Sequence, residues 1–103
     1  MTFRLMSDYN CFPIWVEMPG DPDNIDPSTL PISVRLAQDL MEWAHRYDRT
    51  LCHENPVESG FESDLLRSQF DVDGRYLWRR LQLEFGESVA VTYFSELHGQ
   101  LER

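Results

Sequence analysis

The stretch SVAVTYFS, residues 88–95, constrains this chain more than any other: extended, it sets Val89, Val91 and Tyr93 on one side and Ala90 and Phe94 on the other. A strand that is apolar on both faces belongs in the interior of a sheet. Its natural neighbour lies at the other end of the chain, where TFRLMS, residues 2–7, alternates Phe3 and Leu5 against Arg4 and Met6. Laid side by side, the two strands run parallel under the right-handed crossover rule, and everything between them forms the crossover.

Helices fill most of that crossover. From Val34 to about Arg49, Leu36, Leu40, Trp43, Ala44 and Tyr47 recur at helical spacing, with Ser33 as cap and Pro31 holding the entry extended. A second stripe, Leu66, Phe70, Leu77, Leu81 and Phe85, follows a cap at Ser63, or at Ser59 if Ser59-Gly60-Phe61-Glu62 forms a capping box. Pro56 and Gly60 separate the helices, and Gly86 stands where a terminator belongs. Gly74 falls on the second stripe and admits two readings: close approach of the first helix, or a break where DVDG, residues 71–74, ends or bends the helix.

The early segments are less regular. CFPIWVE offers a second strand that Pro13 demotes to an edge or irregular loop, and MPGDPDNIDPSTLPIS, with five Pro and Gly in sixteen residues, reads as an extended loop. The expectation is an α+β, two-layer fold of order β-(irregular β)-α-α-β, two helices packed on one face of a small sheet of two or three strands. Its 103 residues form one domain, 1–103.

Chemistry is harder to find. Cys11, Asp8 and His53 are the only group that could be nominated for nucleophilic catalysis, and no recognised spacing ties them together. Cys52, His53 and Glu54 are adjacent, whereas zinc sites use pairs two to four residues apart. GDPDNIDP places Ile25 at a ligand position of a calcium loop and lacks its glycine and terminal glutamate. Asp21 and Asp23 flank Pro22 in a solvated acidic loop, and His45 and His98 read as surface or half-buried residues of a helix and the tail. No catalytic residue, metal or cofactor is expected.

Charge is the informative property. The formal net charge is −9, from 18 acidic side chains against 9 basic ones, all of them arginine. Such a field repels nucleic acid and anionic membranes and draws in a basic protein. Two stretches have no opposing cation: Asp8, Glu17, Asp21, Asp23 and Asp26 lie between Arg4 and Arg35, and Glu54, Glu58, Glu62 and Asp64 between Arg49 and Arg67. If both loops lie at one end of the helical layer, Asp8, Glu17, Asp21, Asp23, Asp26, Glu54 and Glu58 form a negative rim around Tyr9, Trp15 and Phe61. Aromatic anchors inside a charged border suit a basic protein partner. A structural or regulatory domain that self-associates through a sheet edge, as a homodimer, is the alternative. The start MTFRLMSDYN has no long apolar core, no stretch approaches 18 apolar residues, and two cysteines make no disulfide framework, so the expected compartment is the cytoplasm.

The motifs DYNCFPIW, NIDP, LPIS, SGFES, the helix around Gly74 and VTYFSE resemble a group of small acidic bacterial proteins of high-GC genomes, over nearly the whole chain. In size, acidity and cytoplasmic character the chain is also similar to immunity proteins of bacterial toxin systems, including contact-dependent growth inhibition. That resemblance implies a non-catalytic protein that neutralises a basic toxin domain, plausibly a nuclease, by binding it. It assigns no residue a role.

Overall fold

In the computed structural model, which describes residues 1–52, 54–55 and 59–103, strands β1 (Thr2–Leu5) and β4 (Ala90–Ser95) lie side by side and parallel, with Phe3 opposite Val91 and Leu5 opposite Tyr93. Three antiparallel strands complete a mixed five-stranded sheet among the described residues: β2 (Ile14–Val16), β3 (Asp23–Ile25) and β5 (Gln100–Glu102), in the order β3-β2-β1-β4-β5. The strand apolar on both faces is interior, between β1 and β5.

The two helices, α1 (Val34–Asp48) and α2 (Asp64–Phe85), pack on one face of this sheet, the expected α+β arrangement. Alternation decides which side chains they cover. Phe3, Leu5, Ile14, Val91 and Tyr93 meet Leu36, Leu40 and Trp43 of α1 and Phe70, Leu77 and Leu81 of α2. Arg4 and Trp15, from the alternate positions, stand opposite each other on the face without a helix.

Several expectations need correction. β2 is neither irregular nor an edge, because Pro13 sits one residue before it, buried, where only its carbonyl is needed, accepting from Met6 N–H at 2.9 Å. The Asn24 side chain bonds Phe12 N–H at 2.9 Å and the Phe12 carbonyl at 2.7 Å, extending the pairing past the proline. β3 falls within the segment read as an extended loop, and β5 within the tail. Each is three residues long, too short for alternation to declare itself.

DVDG neither ends nor bends a helix. α2 runs unbroken to Gly86, whose φ of 77° turns the chain out, and at Gly74 the helix backbone lies directly against the Trp43 side chain of α1 and the Tyr93 side chain of β4. Beyond α2, β4 has no strand partner on the β5 side until Tyr93. Side chains of α2 fill the gap: Gln82 Oε1 accepts from Val91 N–H at 3.0 Å, and Trp78 Nε1–H donates to the Val91 carbonyl at 2.7 Å.

Caps fix how the helices lie. Ser63 Oγ accepts from Leu66 N–H, while Ser59 bonds Cys52 N–H instead and caps nothing. Ser33 Oγ accepts from Leu36 N–H at 3.2 Å, and its own N–H and hydroxyl both go to the Glu84 carboxylate at 2.6 and 2.8 Å. The start of α1 is thereby tied to the end of α2. Ser33→Ala removes the cap and the hydroxyl bond to Glu84, keeps the backbone N–H bond, and is expected to cost about 1 kcal/mol, read as a fall of roughly 4–8 °C in Tm by circular dichroism.

These ties define two ends. At one, Phe85 stacks on Phe3 at 4.9 Å and Glu17 N–H bonds the Thr2 carbonyl, beside the β2–β3 hairpin. At the other, α1 stops beneath the turn after β1, where Asn10, at φ 58°, donates its N–H to Asp48 at 2.9 Å.

Candidate partner-binding surface

At the end where α1 stops, aromatic rings form a file from the core to the surface. Trp43 stacks on Phe70 at 4.5 Å, Phe70 meets Phe61 at 5.1 Å and Tyr47 at 5.8 Å, and Tyr47 carries Tyr9 stacked on it at 4.5 Å. The Tyr9 hydroxyl shares a 2.8 Å hydrogen bond with Thr50 Oγ1, which also donates to the Tyr47 carbonyl. Tyr9 and Phe61 are half-buried, held by rings and a hydrogen bond in fixed positions. Such pre-set aromatic side chains lose little freedom when a partner covers them.

The charge around this file is acidic on balance, although Arg46 lies over the Phe70 ring at 5.5 Å and, with Arg49, lines the hollow beside Phe61. Asp8, Asp48, Glu54, Glu62 and Asp64 have no ion-pair partner among the described residues, and Asp8 accepts only from the adjacent Tyr9 N–H. Burial and the neighbouring Tyr9, Glu96 and Asp8 push the Tyr47 hydroxyl up to about 12, so it stays a neutral donor throughout the physiological range. Arginines at this end are committed elsewhere: Arg46 to Asp73 at 2.7 Å, Arg49 to Glu42 at 3.4 Å, and Arg67 to Glu96 at 2.9 Å.

The remaining residues named from sequence lie apart. Asp21 and Asp23 are exposed at the opposite end, in and beside the β2–β3 hairpin. Glu17, at the hairpin's start, is paired with Arg4 at 2.8 Å. Trp15 lies on the helix-free sheet face, its Nε1–H donating to the Met6 carbonyl at 3.1 Å. Asp26 caps the 3-10 turn Pro27–Thr29, accepting from Ser28 N–H and hydroxyl, both at 2.9 Å. One continuous rim is therefore replaced by two acidic ends, of which only the first, with Asp8, Tyr9, Glu54 and Phe61, has anchors beside its charge. Glu58 and His53 fall outside the described residues.

Cys11 sits where its thiol is hard to ionise. Burial pushes its thiol up, and the Asp8 and Asp48 carboxylates push it further, so the thiolate is disfavoured. Among the described residues no three His, Cys, Asp or Glu side chains gather as a metal would require, and no helix is long and apolar enough to cross a membrane.

A polar cluster that the sequence reading did not single out lies inside the helix–sheet interface. Asp71 of α2, only 5% exposed, accepts from the Tyr93 hydroxyl at 2.9 Å, the Ser95 hydroxyl at 2.8 Å and Arg75 Nε at 2.8 Å. Arg75 continues the chain to the Glu102 carboxylate on β5. Burial opposes the Asp71 charge, but the bonds from Arg75, Ser95 and Tyr93 outweigh it and hold the carboxyl below its ordinary range. Among the described residues no buried side-chain polar atom is left without a partner, and the cluster's bonds between side chains all run between its own members, which marks it as architecture.

The family model described as Serratia CdiI immunity protein-like matches residues 1–96 of the chain. Comparison with curated proteins gives no match.

Proposed function

Because the chain belongs to the Serratia CdiI immunity protein-like family, we propose that it is a cytoplasmic, non-catalytic inhibitor that binds a basic bacterial toxin domain and covers the surface the toxin needs. The observation that carries the reading is the acidic end of the molecule built around the Tyr9–Tyr47–Phe61 rings. Tyr9 and Phe61 supply the apolar centre, and Asp8, Asp48, Glu54, Glu62 and Asp64 the charged border. A nuclease fits this chemistry best, since a groove that binds phosphates is basic and an acidic surface competes for it. The same charge disfavours nucleic acid and anionic membranes as partners of the inhibitor itself.

The test begins with tagged protein loaded with host lysate at low salt and eluted by rising salt, which yields the toxin domain for titration. Asp8→Arg with Glu62→Arg is expected to weaken toxin binding at least tenfold and to flatten its salt dependence, while Asp21→Arg with Asp23→Arg leaves both nearly unchanged. Equal affinity for all three proteins would overturn the assignment of this surface. Failure of the unaltered protein to bind the toxin or protect cells from it would overturn the inhibitor reading.

A further inference from the structure

Helix α2 has a second apolar face, directed away from the core. Leu65, Val72, Tyr76 and Leu83 are 68%, 63%, 62% and 82% exposed. At 3.6 residues per turn the four fall within about 40° of arc, on the side opposite Gly74, and span about 27 Å of helix. With Gln69 and Arg79 between them, positions 65, 69, 72, 76, 79 and 83 alternate intervals of four and three, the spacing of a coiled-coil seam. Single exposed apolar side chains are ordinary, but a row of them along one helix marks a contact surface.

The row also reads the same in both directions. Leu65 and Leu83, Gln69 and Arg79, Val72 and Tyr76 are each equidistant from Gly74. A twofold interface demands this, because residue i of one copy meets j of the other while j meets i. We propose that α2 pairs antiparallel with α2 of a second copy of this chain, Leu65 against Leu83 and Val72 against Tyr76, forming a weak twofold dimer.

Charge favours this face over the rest of the surface. The excess acid sits at the two ends, whereas Arg79 lies in the seam and Arg75, Arg80 and Asp73 flank it, Arg75 and Arg80 already paired within the chain. The sheet edges are poorer surfaces for self-association, since β3 and β5 have three residues each. A single helix pair of this length covers less than a standard interface, so the dimer is expected to be weak and to show itself only toward high concentration. Two chains of net charge −9 repel, so added salt strengthens the dimer, the opposite of its effect on a complex with a basic partner.

Sedimentation equilibrium of the full chain, from about 5 µM to about 1 mM, is expected to show a mass rising from 12.2 kDa toward twice that value, further at higher salt. Val72→Asp with Tyr76→Asp should hold the mass at 12.2 kDa over the same range with the circular dichroism spectrum unchanged, because both side chains are exposed. In a background of Cys11→Ser and Cys52→Ser, a Leu65→Cys chain mixed with a Leu83→Cys chain should oxidise to the mixed dimer in excess of either like pair. A constant 12.2 kDa for the unaltered chain, a dimer that survives Val72→Asp with Tyr76→Asp, or preferential like-with-like cross-linking would each overturn the proposal.

Discussion

Asp71→Ala will destabilise the protein by about 3–5 kcal/mol, a large share of the stability of a domain this size. The carboxylate is buried beneath β4 and is the acceptor for two buried hydroxyls, those of Tyr93 and Ser95, as well as for Arg75. Alanine takes that acceptor from both hydroxyls, leaving Tyr93 only a long 3.4 Å contact to the backbone carbonyl of residue 71, at about 1–3 kcal/mol each, while Arg75 keeps Glu102 and is only partly orphaned. Tyr93→Phe should cost only about 1 kcal/mol, because Asp71 retains Ser95 and Arg75. The double variant should then lose less than the two singles added together, since the aromatic ring no longer carries an unsatisfied hydroxyl. Urea titration of the four proteins measures all of this, and additive losses would show that the cluster is not one unit.

The same carboxylate sets an acid limit. Its folded pKa lies below the ordinary value of 3.8, so its contribution is fully present only well above that value, from about pH 5, and is lost as pH falls through the folded pKa. Melting temperature should therefore be steady from neutrality to about pH 5 and fall below about pH 4, with a shallower fall in Asp71→Asn. An identical acid profile in that variant would place the sensitivity elsewhere.

How much of this was legible in sequence depends on how many residues each feature needs to announce itself. β4 and α1 span enough positions for alternation and helical period to appear, and they fixed a parallel β1–β4 pair under two helices. β3 and β5 occupy three residues each and become strands only because β2 and β4 offer them open backbone. The Asp71 cluster did leave a signal: Ser95 continues the inward alternation of Val91 and Tyr93, and Asp71 adjoins Phe70 on the stripe of α2. Two polar residues at core-facing positions of elements that pack together must find each other. The proposed binding surface was half legible, because counting unopposed acids locates charge along the chain but not in space. The hairpin that carries Asp21 and the turn that carries Tyr9 leave opposite ends of the sheet, and one reversal of direction in β2 is enough to part them.

Gly74→Ala provides the sharpest test of how α1, α2 and β4 meet. In an ordinary helix interior this change stabilises, by about 1 kcal/mol, through backbone propensity alone. Here an added Cβ would lie 2.5 Å from the Tyr93 hydroxyl oxygen and 2.7 Å from Cζ2 of Trp43. Neither neighbour can step aside. The Trp43 indole is stacked on Phe70 and bonded through Nε1 to the Phe70 carbonyl at 3.0 Å, and the Tyr93 ring is stacked on Trp78 at 5.5 Å with its hydroxyl held by Asp71. The helix would have to lift from the sheet, and overpacking of that kind costs about 1–3 kcal/mol net of the propensity gain. Thermal melts should show a lower Tm for Gly74→Ala, and Trp43→Phe, which removes Cζ2, should recover part of the loss when combined with it. A rise in Tm for the single variant would mean that the helices stand further apart than the glycine requires. The direction of the shift matters more than its size, because propensity and packing predict opposite signs at this one position.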